Sequence, residues 1–272
     1  MKRFAPILMS IALAYASSAP AETASVKWET LNAQALSLYR QGHYQRAEKV
    51  AKKSLKLAEQ TGGLYHPTVA LSLNNVALMH KAQGHYKEAE QLYMFSLMIG
   101  EEARGPDHPS IATTLNNLAA LYDAQGQYAK AEPRYQRALT IKEKVFGPNH
   151  LSVALSLNNL AQCHCGQSRY QEAKPLYERA LKIREEALGP KHPTVAQSLD
   201  SLADLYRAQR DFAQAESFYQ RALAIKESAL GSDHPSVADS LEGLASLYRM
   251  TFRPAAAAAL DNRIAAIRAR KR

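Results

Sequence analysis

The amino-acid sequence predicts an all-α fold, a right-handed superhelical solenoid of about six antiparallel helix pairs. Three observations predict it. His66-Pro67 recurs as His108-Pro109, His192-Pro193 and His234-Pro235, with His150-Leu151 between them, always 42 residues apart. The same step carries Gly105, Gly147, Gly189 and Gly231, the column Ala47, Ala89, Ala131, Ala173, Ala215 and Ala257, and the column Ile99, Ile141, Ile183, Ile225 and Ile267. Within each period, two stretches of helical periodicity are divided by turn-forming residues. A fixed period of this kind marks one supersecondary unit that cannot bury its apolar face alone and must stack on its neighbours.

Residues 108–149 show how each element arises. Pro109 has no amide hydrogen to lose at a helix start, and Ile111, Leu115, Leu118 and Tyr122 follow as an apolar stripe, which defines a first helix, A. Gln125-Gly126-Gln127-Tyr128 interrupts it. Helix B then carries Ala131, Tyr135, Ala138, Leu139 and Ile141 until Gly147-Pro148 stops it, Gly as a left-handed cap and Pro as a residue that cannot continue the helix. The small residues Ala131 and Ala138 allow close helix approach. The same reading gives units at about 24–65, 66–107, 108–149, 150–191, 192–233 and 234–272. The end units depart as terminal faces should: Gly63-Leu64-Tyr65 replaces Gly-Pro-x, Phe252-Arg253-Pro254 replaces the Gly-x-Tyr turn, and Pro254 opens the last B helix.

Met1-Lys2-Arg3, an apolar run from Phe4 to Ala16 and then Ser17-Ser18-Ala19-Pro20-Ala21 have the basic, apolar and small-residue order of a secretory signal peptide. Cleavage after Ala21 is expected, giving a leader at 1–21 and a repeat array at 22–272; the alternative is an uncleaved anchor. The expected location is outside the cytoplasm, in a bacterial periplasm first and secreted second, with no stable membrane span after cleavage. The formal charge of +9 sits largely at the ends, because residues 22–260 hold 27 basic and 24 acidic side chains. That mixed surface is not a phosphate-binding footprint, so no nucleic-acid partner is expected, and the basic C-terminal tail reads as a solvated terminus.

The order Leu-Asn-Asn-Leu-Ala-x-Leu-Tyr, Gln-Gly-x-Tyr, Ala-Glu-x-x-Tyr, Arg-Ala-Leu-x-Ile and Gly-Pro-x-His-Pro resembles the tetratricopeptide repeat in its 42-residue variety, as in kinesin light chains. It is fullest at Leu115 to Tyr122, Gln125 to Tyr128, Ala131 to Tyr135 and Arg137 to Ile141, and it spans about residue 24 to the C-terminus. The likeness concerns repeat type, and the leader argues against a motor-associated role. The resemblance implies that helix A lines a concave groove and that its Asn residues hold bound peptides. On that face stand the column Asn74, Asn116, Asn158, Asp200 and Glu242 and two flanking columns, Leu71, Thr113, Leu155, Gln197, Asp239 and Leu78, Ala120, Gln162, Asp204, Ser246. A carboxamide donates and accepts at once, which suits an extended backbone. The peptide-binding residues expected are therefore Leu71, Asn74, Leu78, Thr113, Asn116, Leu155, Asn158, Gln162, Asp200, Asp204, Asp239 and Glu242. Their change from apolar and amide to acidic implies a partner combining apolar side chains with Lys or Arg, with Arg207 and Arg249 neutralising part of the acidic charge. The competing reading is that the Asn-Asn pairs decorate a solvated or inter-repeat face.

Other clusters carry less. The His ladder is expected to form helix starts rather than a metal site, since successive loops lie too far apart to share one ion. Stepping by 42 places Cys163 with Met79, Leu121, Leu205 and Leu247, a core column, and Cys165 with Lys81, Asp123, Arg207 and Arg249, expected to be exposed. No catalytic residue, metal or cofactor is assigned, and no enzyme activity is expected. The function expected is a non-enzymatic exported scaffold that binds a peptide or partner segment in its groove. The alternatives are a periplasmic assembly or chaperone-like accessory factor with broad client binding, and an enzyme using the His164 and Cys165 region.

Overall fold

The computed structural model describes the backbone of residues 5–270 and the side chains of residues 23–270. Among the described residues there are twelve α-helices and no strand: α1 Ala5–Arg40, α2 Tyr44–Gly62, α3 Pro67–Ala82, α4 Tyr86–Arg104, α5 Pro109–Asp123, α6 Tyr128–Phe146, α7 Leu151–Gly166, α8 Tyr170–Leu188, α9 Pro193–Ala208, α10 Phe212–Leu230, α11 Pro235–Met250 and α12 Pro254–Ala269. Pro67, Pro109, Pro193, Pro235 and Pro254 each open a helix, as their missing amide hydrogen permits. The expected leader at 1–21 lies outside the residues whose side chains are described.

The helices fall into two compact units, Met1–Leu121 and Tyr122–Arg272. In the first, α1, α2, α3 and α4 pack each on the next, and α1 also meets α3. Their core joins Ala35, Ala47, Ala51, Val76 and Met79 at one level and Ala58, Val69, Ala70, Leu73 and Ile99 at another. In the second, α6 to α12 pack consecutively, and α9 also meets α7 and α11. Ala161, Ala173, Tyr177, Leu202 and Leu205 form one of its clusters, and Val237, Ala238, Leu241, Ile264 and Ile267 another. The predicted stripe is buried: Ile111, Leu115, Leu118 and Tyr122 are each no more than 3% exposed. The Ala column from Ala47 to Ala257 is sealed as well, because only a methyl group fits where the helices cross.

The joints repeat with the sequence. Gly147 caps α6 in a left-handed conformation, φ 85°, and its amide donates to the Glu143 carbonyl four residues back. The following His150 accepts the Ser152 amide on its Nδ1 at 3.1 Å, and His66, His108, His192 and His234 do the same for Thr68, Ser110, Thr194 and Ser236. The His ladder is thus a set of imidazole N-caps, each satisfying one orphan amide of its own helix. Inside the pairs, the left-handed turn position is Gly42, Gly84 and Gly126 in the first three repeats, then Ser168, Arg210 and Phe252, with φ 59°, 63° and 57°. The structure leaves Phe252 93% exposed.

Candidate functional site

The groove columns lie on α3, α5, α7, α9 and α11. In the first unit Thr113 is exposed, Leu71 and Leu78 are half-buried, and Asn74 and Asn116 are buried, at 6% and 7% exposure. Asn74 is held between repeats: its Oδ1 accepts from Asn117 Nδ2 at 2.9 Å, and its Nδ2 donates to Asn75 Oδ1 at 3.4 Å. Asn75 Nδ2 donates in turn to Asn32 Oδ1 at 2.9 Å. The second Asn of the first two doublets thus reaches back to the Asn 43 residues earlier, in the preceding repeat. Asn32, Asn75 and Asn117 were not among the expected site residues, although the doublet recurring every 42 residues is their signal.

In the second unit Leu155, Gln162, Asp204, Asp239 and Glu242 are exposed, while Asn158 and Asp200 are half-buried. The Asn158 Oδ1 is buried without a hydrogen-bond partner among the described residues. The acidic side chains are mostly compensated from within. Lys226 Nζ lies 2.6 Å from Asp200 Oδ2, and Ser240 Oγ donates to Asp200 Oδ1 at 2.8 Å. Burial nonetheless lifts the Asp200 carboxyl above its ordinary value, against the pull of Lys226 and Ser240. Asp204 accepts from Arg207 Nη2 at 2.8 Å and from the Tyr219 hydroxyl at 2.5 Å. Glu242 pairs with Arg268, and Arg249 pairs with Asp261 at 2.6 Å. Of the two expected neutralising arginines, Arg207 therefore pairs with Asp204, one of the expected acidic residues, and Arg249 pairs with Asp261 instead.

Lys226 and Arg268 belong to a further column, Lys142, Arg184, Lys226 and Arg268, one cation in each of the last four B helices and each 42 residues from the next, where α2 and α4 carry Ala58 and Gly100. The later two meet carboxylates. Arg184 donates instead to Ser198 Oγ at 2.6 Å and to the Thr194 carbonyl at 3.3 Å. Lys142 is only 7% exposed, and burial pulls its amine down to about 8.

Between α7, α8 and α9, Gln162, Cys165, Tyr170, Tyr177, Ser201 and Asp204 line a hollow of about 250 Å³. Two expected groove residues, Gln162 and Asp204, thus share a concave wall. Cys165 is half-buried against Tyr177, Leu205 and Ala161 rather than exposed, as Lys81, Asp123 and Arg207 of the same column also are, because this column flanks the core stripe. Burial pushes its thiol up, and that of the sealed Cys163 up to about 11, so neither is a ready thiolate at neutral pH. Burial also lowers His164, with Glu132, Arg169 and Glu172 around it.

Comparison with known proteins follows the same lines. The Tetratricopeptide repeat family profile matches residues 29–97, 88–144, 126–186, 152–228 and 203–270. No curated protein matches the chain significantly. Among solved structures, BtubC (BKLC) from P. vanneervenii is 25% identical, with a TM-score of 0.70 over 84% of this chain and 92% of that one. The nearly identical TPR-like repeats of a Podosopora anserina kinesin light chain candidate are 28% identical, with a TM-score of 0.63 over 76% of this chain and 98% of that one. A Rap protein complexed with competence and sporulation factor shares the fold at 16% identity, with a TM-score of 0.63 over 89% of this chain and 75% of that one. With nearly the whole described chain matched by its profile, this protein belongs to the tetratricopeptide repeat family.

Proposed function

We propose that the chain is an exported, non-enzymatic scaffold that receives a peptide or partner segment on the odd-numbered helix faces. The observation that carries this reading is that the outer groove column stays out of the core: Thr113 in the first unit, and Leu155, Gln197 and Asp239 in the second, are all exposed. The Rap protein of the same fold binds competence and sporulation factor, which supports a binding role for such an array. Because Asp200, Asp204 and Glu242 already hold internal partners, the ligand's basic group meets Asp239, while an apolar side chain meets Leu155.

The leader at Met1 to Ala21 supports export, and N-terminal sequencing of the mature protein should begin at Glu22; Met1 on most molecules would refute cleavage. Binding is tested by recovering partners from periplasmic extract on the wild-type chain, then titrating the recovered partner against Thr113→Arg and against Leu155→Arg with Asp239→Lys. Both variants change exposed side chains, so circular dichroism should report unaltered helix. Weakened binding in either variant supports the reading, and wild-type affinity in both would assign binding to another surface.

A further inference from the structure

The even-numbered helices show one departure that the groove does not use. Three outward positions recur every 42 residues: Lys52, Lys53 and Lys56 in α2, Gln136, Arg137 and Thr140 in α6, Glu178, Arg179 and Lys182 in α8, and Gln220, Arg221 and Ala224 in α10. In α4 the same positions are Met94, Phe95 and Met98. They are not core residues, since α4 turns Ala89, Tyr93, Ser96, Ile99 and Gly100 inward and leaves Met94 and Phe95 54% exposed and Met98 49% exposed. Three large apolar side chains therefore stand together, one turn apart, where every other repeat carries short or polar ones.

The neighbouring outward face is basic. Arg46, Lys49, Lys52, Lys53 and Lys56 of α2 are all exposed, and among the described residues only Lys52 of these is paired, with Glu48 at 2.5 Å. Both helices lean on one core cluster, through Leu55 and Ala58 of α2 and Leu92 and Ile99 of α4, so an apolar strip and a cationic strip belong to the same outer side of the first unit. A cationic strip beside an apolar one calls for a partner that is apolar along one row and anionic along the next, which an amphipathic helix presents at i, i+3, i+4 and i+7 spacing. Methionine is suited to such a contact because its unbranched thioether conforms to varied side chains. The segregation of the two strips, and the half-sunk position of Met94, Phe95 and Met98, favour a packed helix over a bilayer, which would take wedge residues standing clear of the surface within a basic surround.

We propose that the α2–α4 outer face docks an amphipathic helix of a partner protein, its apolar row covering Met94, Phe95 and Met98 and its Asp or Glu edge meeting Lys49, Lys53 and Lys56. The test pans a displayed library of helical peptides against the full chain and measures the enriched peptides by fluorescence anisotropy. Two variants accompany it: Met94→Gln with Phe95→Arg and Met98→Thr, which installs the residues that α6 carries at these positions, and Lys49→Glu with Lys53→Glu and Lys56→Glu. Enriched sequences should pair an apolar row with an acidic edge, bind either variant at least tenfold more weakly, lose affinity with salt and bind Thr113→Arg unchanged. Equal affinity for wild type and both variants, or no acidic amphipathic helix among the enriched sequences, overturns the proposal. So does binding to phosphatidylglycerol vesicles that both variants abolish while the peptides fail, or self-association in sedimentation that the apolar variant abolishes.

Discussion

Lys226 reaches Asp200 across 2.6 Å with only 3% of the lysine side chain exposed. This contact joins α10 to α9 at a site where the sequence suggested a groove carboxylate, and it changes what a mutation there reports. Asp200→Asn strands a buried ammonium and should cost about 3 to 5 kcal/mol, whereas Asp200→Leu together with Lys226→Met should recover most of that loss. Urea midpoints of the three proteins decide it, and an unshifted Asp200→Asn midpoint would show that the pair contributes nothing.

Lys142 occupies the same column without a carboxylate. Burial pulls its amine down to about 8, while the unfolded lysine titrates near its ordinary value. The folded chain therefore holds fewer protons between those two values, and stability should climb as the pH rises from about 8 to about 10.5. Lys142→Met should remove that slope and stabilise the chain near neutral pH by up to about 3 kcal/mol. Denaturant midpoints at pH 7, 9 and 10.5 would expose the opposite outcome, a parallel pH slope in both proteins.

Arg210 holds the left-handed turn position at φ 63°, where Gly42, Gly84 and Gly126 stand in earlier repeats. A side chain in that conformation costs roughly 1 to 2 kcal/mol. Arg210→Gly should therefore raise stability by about 1 kcal/mol, despite glycine's greater freedom when unfolded. A thermal melt that falls instead would mean that this side chain makes a contact worth more than the strain.

His164 and His80 share a column with Tyr122, Tyr206 and Tyr248. Burial lowers its pKa, opposed by Glu132 and Glu172 and reinforced by Arg169. His80 is lowered for the same reason, with Glu48 and Glu88 opposing and Lys52 and His85 reinforcing. Each folded imidazole takes up protons later than its unfolded counterpart, so stability is present above the unfolded value and falls as the pH drops below it. His164→Tyr with His80→Tyr should flatten stability against pH over the range just below about 6.5. An unchanged acid slope would assign that slope to the carboxylates.

The helix pairs were legible because their signals are local and repeated: Pro at the first helical position, Gly at the cap and the Leu118 stripe each recur in register. The His ladder was legible as a helix start, but its Nδ1 cap is visible only once the backbone is placed. The groove was less legible, because a polar residue beside the core stripe can face solvent or a neighbouring helix and the sequence does not distinguish them. Asn74 and Asp200 are expected as ligand contacts, and the structure turns Asn74 toward the next repeat, where Asn117 meets it, and Asp200 toward Lys226 of its own repeat. The cation column from Lys142 to Arg268 was present in the 42-residue step and would have identified Asp200 as an internal acid.

The uniform joints have an evolutionary and engineering consequence. Glu143 bridges Arg179, Glu185 bridges Arg221 and Glu227 bridges Arg263, each pair 36 residues apart. Excising residues 192–233 would splice Gly189-Pro190-Lys191 to His234-Pro235, a junction spelled like those it replaces. Glu185 would then find Arg263 where Arg221 had been, and Arg184 would find Ser240 in place of Ser198, while Asp200 and Lys226 would leave together. The chain is therefore modular in length: unequal crossing-over between repeats can add or delete a whole period and rebuild these Glu–Arg bridges at the new junction, with a like-charge meeting of Lys174 and Arg253 as the mismatch that replaces the Glu216–Arg253 pair.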